Sequence, residues 1–224
     1  MTSDLQTIAT ILETEPVIFQ LLKQCPYEIL RMIRVRCYRD GEFELAEGRV
    51  HHHFYIIVRG EVDIYSESEY GKKYFLTTYH TGNFIGEMEI FQQLPYISHV
   101  QGRGQVTVLE LERSLLLRWM SLDQNFNRLF IQKICESSYQ MCERMKRNNL
   151  YNLKQRICYY LLEQFDLRNQ RDIIWNSEEM SQKMAVTQRS VNRVLKELRE
   201  QGIIYLSQGK IHLINRSKLE TLLR

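Results

Sequence analysis

Two hydrophobic periodicities divide the chain. Apolar residues recur at helical spacing near both ends, whereas between Val35 and Glu112 they alternate with polar residues in short runs separated by turns. Many short strands at near-regular spacing indicate an antiparallel barrel or jelly roll. The predicted strands lie at 34–38, 43–46, 54–58, 61–65, 73–79 and 105–111, with a turn at Arg59–Gly60 between the third and the fourth.

The flanking segments are predicted to be helical. Pro16 and Pro26 divide residues 4 to 35 into short helices, and a short helix follows Arg113. A long helix is predicted from about Leu122 to Asn148, with a hinge at Asn148–Asn149. Its apolar stripe suits a partner helix pressed along one seam. The predicted seam consists of Phe126, Phe130, Ile134, Ser137, Ser138, Met141 and Met145.

The stretch from Ser177 to Ile214 predicts a helix, a tight turn, a second helix and a hairpin. Ser177 and Thr187 are of N-cap type, and Ala185–Val186 forms the turn. The second helix has an aliphatic face at Val191, Val194, Leu195 and Leu198, and a polar face at Gln188, Arg189, Asn192, Arg193 and Lys196.

This pattern suits insertion of the second helix into a DNA major groove. Glutamine and asparagine can bond adenine bidentately, and arginine can bond guanine. We therefore expect Gln188, Arg189, Asn192 and Arg193 to read bases or nearby phosphates. The residues expected to contact the sugar-phosphate backbone of the DNA are Thr187, Ser190, Lys196, Gln208 and Lys210.

Charge distribution supports a phosphate-binding C-terminal region. Residues 147–224 hold 14 Lys/Arg against 8 Asp/Glu, whereas the preceding 146 residues hold 16 against 19. No apolar run has the length of a membrane span and no secretory signal is evident, so we expect a cytoplasmic protein that binds no membrane. No phosphate loop, nucleophile elbow or metal-spaced His/Glu cluster is present, and we expect no enzyme activity.

Two segments carry a resemblance to a known family. EEMSQKMAVTQRSVNRVLKELREQGII with GKIHLINRSKLETLL resembles the DNA-binding domain of the Crp/Fnr family of bacterial transcription regulators. FYIIVRGEVDIY followed by GNFIGEMEIF looks like the cyclic-nucleotide-binding β-roll that precedes that domain in the same family.

The resemblance implies an α+β fold and a function. A sensor β-roll (jelly roll) with N-terminal helices would occupy residues 1–120, a dimerisation helix 121–148 and a winged helix-turn-helix domain 149–224. It also implies a parallel homodimer that binds double-stranded DNA at an inverted-repeat operator, with RNA polymerase as a further partner. Most family members have a glutamate where this chain has Arg189, which predicts a different operator.

The effector pocket departs from the family pattern. In nucleotide-binding members, the residue at position 86 lets the backbone approach the nucleotide closely, and the residue at position 87 accepts a hydrogen bond from the ribose hydroxyl; this chain has Gly86 and Glu87 there. Tyr96, however, stands where an arginine usually neutralises the cyclic phosphate. Cyclic AMP is therefore not the expected effector. The candidate pocket comprises Gly86, Glu87, Met88, Tyr96, Ile97, Ser98, Met141 and Cys142.

The identity of the effector stays open, and we predict neither a cofactor nor a metal site. The five cysteines contain no CxxC, which argues against a disulfide framework, a zinc site or an iron–sulfur cluster. Haem ligation by a histidine and thiol sensing by Cys135 and Cys142 are alternatives, but packing roles are commoner for such residues. The alternative function is a small-molecule, haem or redox sensor whose helix-turn-helix contacts protein.

Overall fold

The computed structural model describes residues 4–69, 71, 73–168 and 172–223, with the side chains of 167 and 168 excepted. The chain forms two compact units, Met1–Ser137 and Ser138–Arg224. Among the described residues, no helix is both long and apolar enough to span a bilayer.

The first unit contains short helices around a β-roll. The prolines act as predicted: Pro16 begins the second helix, and Pro26 precedes the third, since proline suits the first turn of a helix but not its interior. The helices are α1 (Asp4–Thr14), α2 (Pro16–Leu22), α3 (Tyr27–Leu30), α4 (Glu87–Gln92), α5 (Arg113–Leu122) and the first half of α6 (Gln124–Leu150).

The roll is an antiparallel sheet, as the alternation predicts. Its strands are β1 (Arg34–Tyr38), β2 (Glu44–Leu45), β3 (His53–Glu67), β4 (Lys73–Tyr79), β5 (Phe84–Ile85) and β6 (His99–Glu112). The order is β1-β6-β3-β4, with β2 also paired to β6 and β5 to β3. The predicted fold class, α+β with an antiparallel β-roll, is confirmed.

One strand prediction is wrong. Residues 54–58 and 61–65 belong to the single strand β3, and Arg59–Gly60 forms an irregularity inside it rather than a turn. Pairing with β6 holds on both sides, at Ile57 with Val108 and at Glu61 with Arg103. Gly60 has φ 94°, so the strand bends there without ending.

The two faces of the roll bury different cores. Ile56, Leu109 and Leu111 face outward and pack with the helices, where Trp119 of α5 is fully buried. Tyr55, Ile57 and Val108 point the other way, because successive strand residues alternate between faces. The interior core comprises Phe43, Leu45, Tyr55, Ile57, Val62, Ile85, Tyr96, Val100, Val106 and Val108.

The second unit is a helical domain with a small sheet. Its further elements are α7 (Leu153–Arg168), β7 (Asp172–Ile174), α8 (Ser177–Met184), α9 (Gln188–Glu200), β8 (Ile204–Ser207), β9 (Lys210–Leu213) and α10 (Arg216–Thr221). The strand order is β7-β9-β8, antiparallel throughout. One buried cluster joins α7, α8, α9 and the inner face of this sheet.

Two predicted helix ends differ from the structure. Asn148 and Asn149 lie inside α6, and the helix break falls at Tyr151–Asn152. There Asn152 and Gln155 cap α7 reciprocally: the Asn152 side chain accepts from the Gln155 amide at 3.0 Å, and the Asn152 amide donates to the Gln155 side chain at 3.1 Å.

The N-cap of α8 is Asn176 rather than Ser177. The Asn176 side chain accepts from the Glu178 amide at 2.8 Å. Ser177 is already the first helical residue. Because both residues have cap-forming side chains, sequence type alone cannot separate adjacent candidates.

Candidate nucleic-acid interface and sensor pocket

Helix α9 begins where its cap predicts. The Thr187 hydroxyl accepts from the Ser190 amide at 3.2 Å and lies 3.0 Å from the Ser190 hydroxyl. The preceding turn is tight because Ala185, the C-cap of α8, adopts the left-handed conformation with φ 54°. Three residues therefore separate the two helices of the motif.

The side chains of α9 divide sharply into two faces. Val191, Val194, Leu195 and Leu198 are buried in the core of the second unit. The opposite face is exposed along its length and carries Gln188, Arg189, Asn192, Arg193 and Lys196. The structure thus places all five predicted helix residues together on one accessible surface.

Most of these exposed side chains are available to a ligand. Arg189, Asn192 and Arg193 make no side-chain hydrogen bond or ion pair within the described part of the chain. Gln188 accepts from the Ser177 hydroxyl at 3.4 Å, and Lys196 lies 3.8 Å from Glu200. Both pairs are exposed, so a stronger partner can replace them at little cost.

The hairpin after α9 closes with a two-residue turn. Gln208 has φ 46° and Gly209 has φ 72°, and positive φ at both central positions matches the twist of the flanking strands. Gln208 and Lys210 are exposed at this tip. We call Ser207–Lys210 the wing tip.

In the first unit, Gly86 and Tyr96 are in close contact. A Cβ on Gly86, which has φ 87°, would lie 2.7 Å from the Tyr96 hydroxyl and 2.8 Å from the His53 carbonyl oxygen. Only glycine fits this position. The predicted close backbone approach therefore serves a side chain of the protein itself.

Tyr96 fills part of the interior of the roll. Its side chain is 4% exposed and belongs to the interior core, and its hydroxyl has no hydrogen-bond partner among the described residues. Two backbone bonds fix the residue: its amide donates to the Arg49 carbonyl at 2.9 Å, and its carbonyl accepts from the Gly48 amide at 2.8 Å.

The other pocket candidates are scattered in exposure. Ser98 is buried, Met88 and Ile97 are exposed, and Met141 and Cys142 belong to the second unit, where both are exposed. The structure thus joins Gly86 and Tyr96 directly but leaves Met88 and Ile97 at the surface of the roll.

The electrostatic environment around Glu87 and Tyr96 disfavours binding of an anion. Burial raises the pKa of Glu87 from about 4.5 to about 7. Burial first, and the Glu89 carboxylate second, raise the pKa of Tyr96 above its usual range. Residues 86–102 contain no Lys or Arg, so a cyclic phosphate would meet carboxylates without a cation and does not fit these residues.

The predicted seam along α6 needs a correction. Phe126 is 0% and Phe130 5% exposed, and both side chains already pack among the helices and the roll of the first unit. Ile134 packs partly against the same core. Seen from the sequence, a phenylalanine that packs inward and one that packs against a partner share the same helical spacing.

Further residues on α6 remain accessible. Met141 is 59% and Met145 56% exposed, Ser138 is exposed, and Ser137 is half-buried. Ile131, which lies outside the predicted seam, is 59% exposed. The alternating three- and four-residue steps from Ile131 through Ile134, Ser138 and Met141 to Met145 are the signal that could have found it.

The structure adds no support for thiol sensing or for metal binding by the described residues. Cys135 and Cys142 are exposed on α6, and Cys158 is buried. Within the described ranges, no group of three or more His, Cys, Asp or Glu residues could hold a metal ion.

Two family models match the chain in series. The cyclic nucleotide-binding domain matches residues 35–123, and the Crp-like helix-turn-helix domain matches residues 155–222. Together they cover more than two thirds of the chain. The first match includes the β-roll, and the second includes α8, α9 and the wing tip.

Similar proteins include two curated relatives. The anaerobic regulatory protein of Bacillus subtilis (strain 168) is 26% identical over 228 aligned positions, covering 93% of this chain and 92% of that protein. The cAMP-dependent protein kinase regulatory subunit of Blastocladiella emersonii is 24% identical over 107 residues, 48% of this chain. This chain spans about a quarter of that subunit, 27% of its length.

A similar solved structure supports the fold. A transcriptional regulator of the Crp/Fnr family from Eubacterium rectale ATCC 33656 superposes with a TM-score of 0.70 at 14% identity. The match covers 91% of this chain and 97% of that one.

Proposed function

The chain belongs to the Crp/Fnr family of transcription regulators, and we propose that it binds an inverted-repeat operator sequence-specifically as a homodimer. The observation that carries this proposal is the exposed polar face of α9. Gln188, Arg189, Asn192 and Arg193 stand on the N-terminal half of a helix whose opposite face is fixed in the core. A helix held in this way can enter a major groove without reorganising.

Base reading follows from the side chains on that face. Gln188 and Asn192 suit the paired donor and acceptor of adenine, whereas Arg189 and Arg193 suit guanine. The glutamate common at the position of Arg189 in this family accepts from cytosine. Since an arginine cannot accept, we propose that the operator differs from the common family half-site there.

Contacts with the DNA phosphate backbone position the domain on the duplex. Lys196, Gln208 and Lys210 are exposed and suit phosphate oxygens. The Thr187 and Ser190 hydroxyls bond one another in the cap, and we propose that the hydroxyl that accepts in this bond donates its own proton to a phosphate near the start of α9.

The proposed dimer uses the accessible stripe of α6. Ile131, Met141 and Met145 are large apolar side chains exposed at coiled-coil spacing, with Ser138 between them and Ile134 at the edge. A parallel pair of such helices would place two recognition helices about 34 Å apart, one turn of DNA.

The effector in this proposal is not a cyclic nucleotide. Tyr96 occupies interior space in the roll, and Glu87 and Glu89 surround the position with negative or protonated carboxyls instead of a guanidinium. We propose a regulator with a different effector or none, acting with RNA polymerase in the cytoplasm.

A binding selection from random duplexes, followed by gel shifts of the selected sequence at several salt concentrations, tests the DNA proposal. We expect an enriched inverted repeat and a steep fall of the binding constant with salt. Failure to enrich any sequence, together with a flat salt dependence, would favour a protein partner for the helix-turn-helix.

Native mass spectrometry of the protein purified from its own host tests the remaining parts. We expect a dimer mass and no retained cyclic nucleotide. A bound cyclic nucleotide would contradict the fit argument at Tyr96, and a retained haem would support the sensor alternative.

A further inference from the structure

The small sheet of the second unit has one buried and one solvent-facing side. Ile173, Ile204 and Ile211 point into the core. The opposite side carries Asp172 on β7, Ser207 on β8 and His212 on β9, each exposed or half-exposed. Since β9 is the central strand, His212 lies between the other two.

His212 joins both edge strands through its two ring nitrogens. Its Nδ1 lies 2.7 Å from Asp172 Oδ1, and its Nε2 lies 3.1 Å from the Ser207 hydroxyl. Asp172 is the direct cross-strand partner of His212, and Ser207 pairs with Lys210 across the wing tip. The chain Asp172–His212–Ser207 therefore ends at the residue that begins the wing tip.

The protonation state of His212 decides the direction of the second bond. An ionised aspartate only accepts, so Nδ1 carries a proton and donates to Asp172. In the neutral ring Nε2 must then accept, and the Ser207 hydroxyl must donate to it. Once a proton from solvent adds to Nε2, the ring donates on both sides and Ser207 becomes the acceptor.

This reversal changes what the wing tip offers to DNA. In the neutral state the single hydroxyl proton of Ser207 is used inside the protein. In the protonated state the proton is released to donate outward, and the ring adds a positive charge beside Lys210. Both changes favour binding of the wing tip to a phosphate oxygen of the DNA.

We propose that His212 is a proton-operated positioning residue of the wing tip, which raises affinity for DNA phosphate as pH falls. The inference rests on the proposed DNA-binding function. The acting chemistry is one reversible proton transfer from solvent to His212 Nε2, with no other bond made or broken.

Several titratable groups share the solvent-facing side of the sheet with His212. On the solvent-facing side of the sheet, the other titratable residues are Asp172 on β7, Tyr205 on β8 and Lys210 on β9. The Tyr205 ring lies 5.9 Å from the His212 ring. Asp172 is in direct contact with the His212 ring, and Lys210 lies on the same strand and the same face.

His212 is well isolated for an experiment. The other five histidines, His51, His52, His53, His80 and His99, all lie in the first unit. A pH effect that disappears with a substitution at position 212 alone is therefore assigned to this residue.

The test measures binding of the full-length protein to a fluorescent mixed-sequence duplex of about 30 base pairs, three helical turns. Measurements at constant ionic strength compare about pH 6 with about pH 8. We expect binding about threefold tighter or more at the lower pH. The salt slope should steepen by up to about 0.9 for each bound subunit, because each wing tip neutralises one further phosphate.

Three variants define the result. His212→Gln should remove the pH difference and bind at either pH as the native protein binds at pH 8. Ser207→Ala should retain only the part of the pH-dependent difference in DNA affinity that comes from the positive charge of the His212 ring. His99→Gln, in the first unit, should keep the whole difference, and thermal unfolding at both pH values monitors folding.

The outcomes separate the inference from the function on which it rests. Absence of binding by the native protein at both pH values would contradict DNA binding itself. Binding without a pH difference, or a difference that survives His212→Gln, would overturn the role of His212. Nitrogen chemical shifts of the native His212 ring give a check without mutation: we expect the Nδ1–H tautomer at pH 8, and the Nε2–H tautomer would overturn the inference.

Discussion

Arg189 is the residue on which we expect the choice of operator to depend most. It is exposed on α9 and uncommitted among the described residues, so its guanidinium can meet a base directly. Arg189→Ala should weaken binding to the selected operator by about 1–3 kcal/mol and relax preference at one position in each half-site. A repeated selection with the variant measures both effects.

The matched control is Arg199→Ala, because Arg199 is exposed near the other end of the same helix. This change should leave base preference intact. If Arg189→Ala instead weakened binding to all sequences by one common factor, Arg189 would contact only phosphate.

The raised pKa of Glu87 predicts that the stability of the β-roll depends on pH. The Glu87 pKa rises from about 4.5 to about 7 on burial, so folding favours the protonated form. The stabilising effect of protonation is fully present below about pH 4.5 and is lost as pH rises to about 7. Glu87→Gln should remove this loss and raise the free energy of unfolding above pH 7 by on the order of 2 kcal/mol.

Denaturant unfolding at several pH values measures this effect, with Glu112→Gln as an exposed control in the same unit. The native and Glu87→Gln proteins should converge toward pH 4.5 and separate above it. Parallel curves across this range would show that folding does not raise the pKa of Glu87.

At the scale of elements, the bend in β3 depends on Gly60. A Cβ there would lie 2.4 Å from the Gln105 carbonyl oxygen, which is part of the β6 backbone and cannot swing aside. Gly60→Ala should therefore lower the free energy of unfolding by about 2 kcal/mol or more.

Gly104 provides a matched comparison. It has φ 67°, also in the left-handed region, but nothing lies within 4 Å of an added Cβ. Gly104→Ala should cost only the conformational penalty, about 1 kcal/mol. Equal effects of the two changes in denaturant titration would show that conformation, and not contact with β6, limits position 60.

At the scale of the whole molecule, dimerisation should depend on the exposed stripe of α6. Met141→Glu combined with Met145→Glu would place like charges opposite one another in a parallel pair. We expect a monomer by analytical ultracentrifugation, with greatly weakened operator binding because one half-site alone is held.

Tyr139→Glu is the control, since Tyr139 is 70% exposed and lies on the other side of the helix. That variant should remain dimeric. A double-glutamate variant that also remains dimeric would place the dimer contact elsewhere on the chain.

Local patterns in the sequence determined most of the elements and the polar face of α9. Alternation predicted most strands of the roll but not β5 or the first half of β6. Prolines predicted the short helices, and the two faces of α9 followed from positions three and four residues apart. These features depend on neighbours within one turn of helix or two residues of strand, so the sequence is sufficient for them.

Contacts between distant residues were decided only by the tertiary structure. Phe126 and Phe130 share helical spacing with Met141 and Met145, yet only the fold shows that the roll already covers them. Arg59–Gly60 has the residues of a turn, but pairing with β6 keeps β3 continuous through it.

The candidate sites show the same division. The resemblance to the family showed that Tyr96 stands where an arginine is usual. Its burial inside the roll, however, depends on strands far away in the chain. The bond of His212 with Asp172 joins residues 40 positions apart, and strand pairing alone brings them together. Periodicity reports which side of an element is apolar; only packing decides what that side meets.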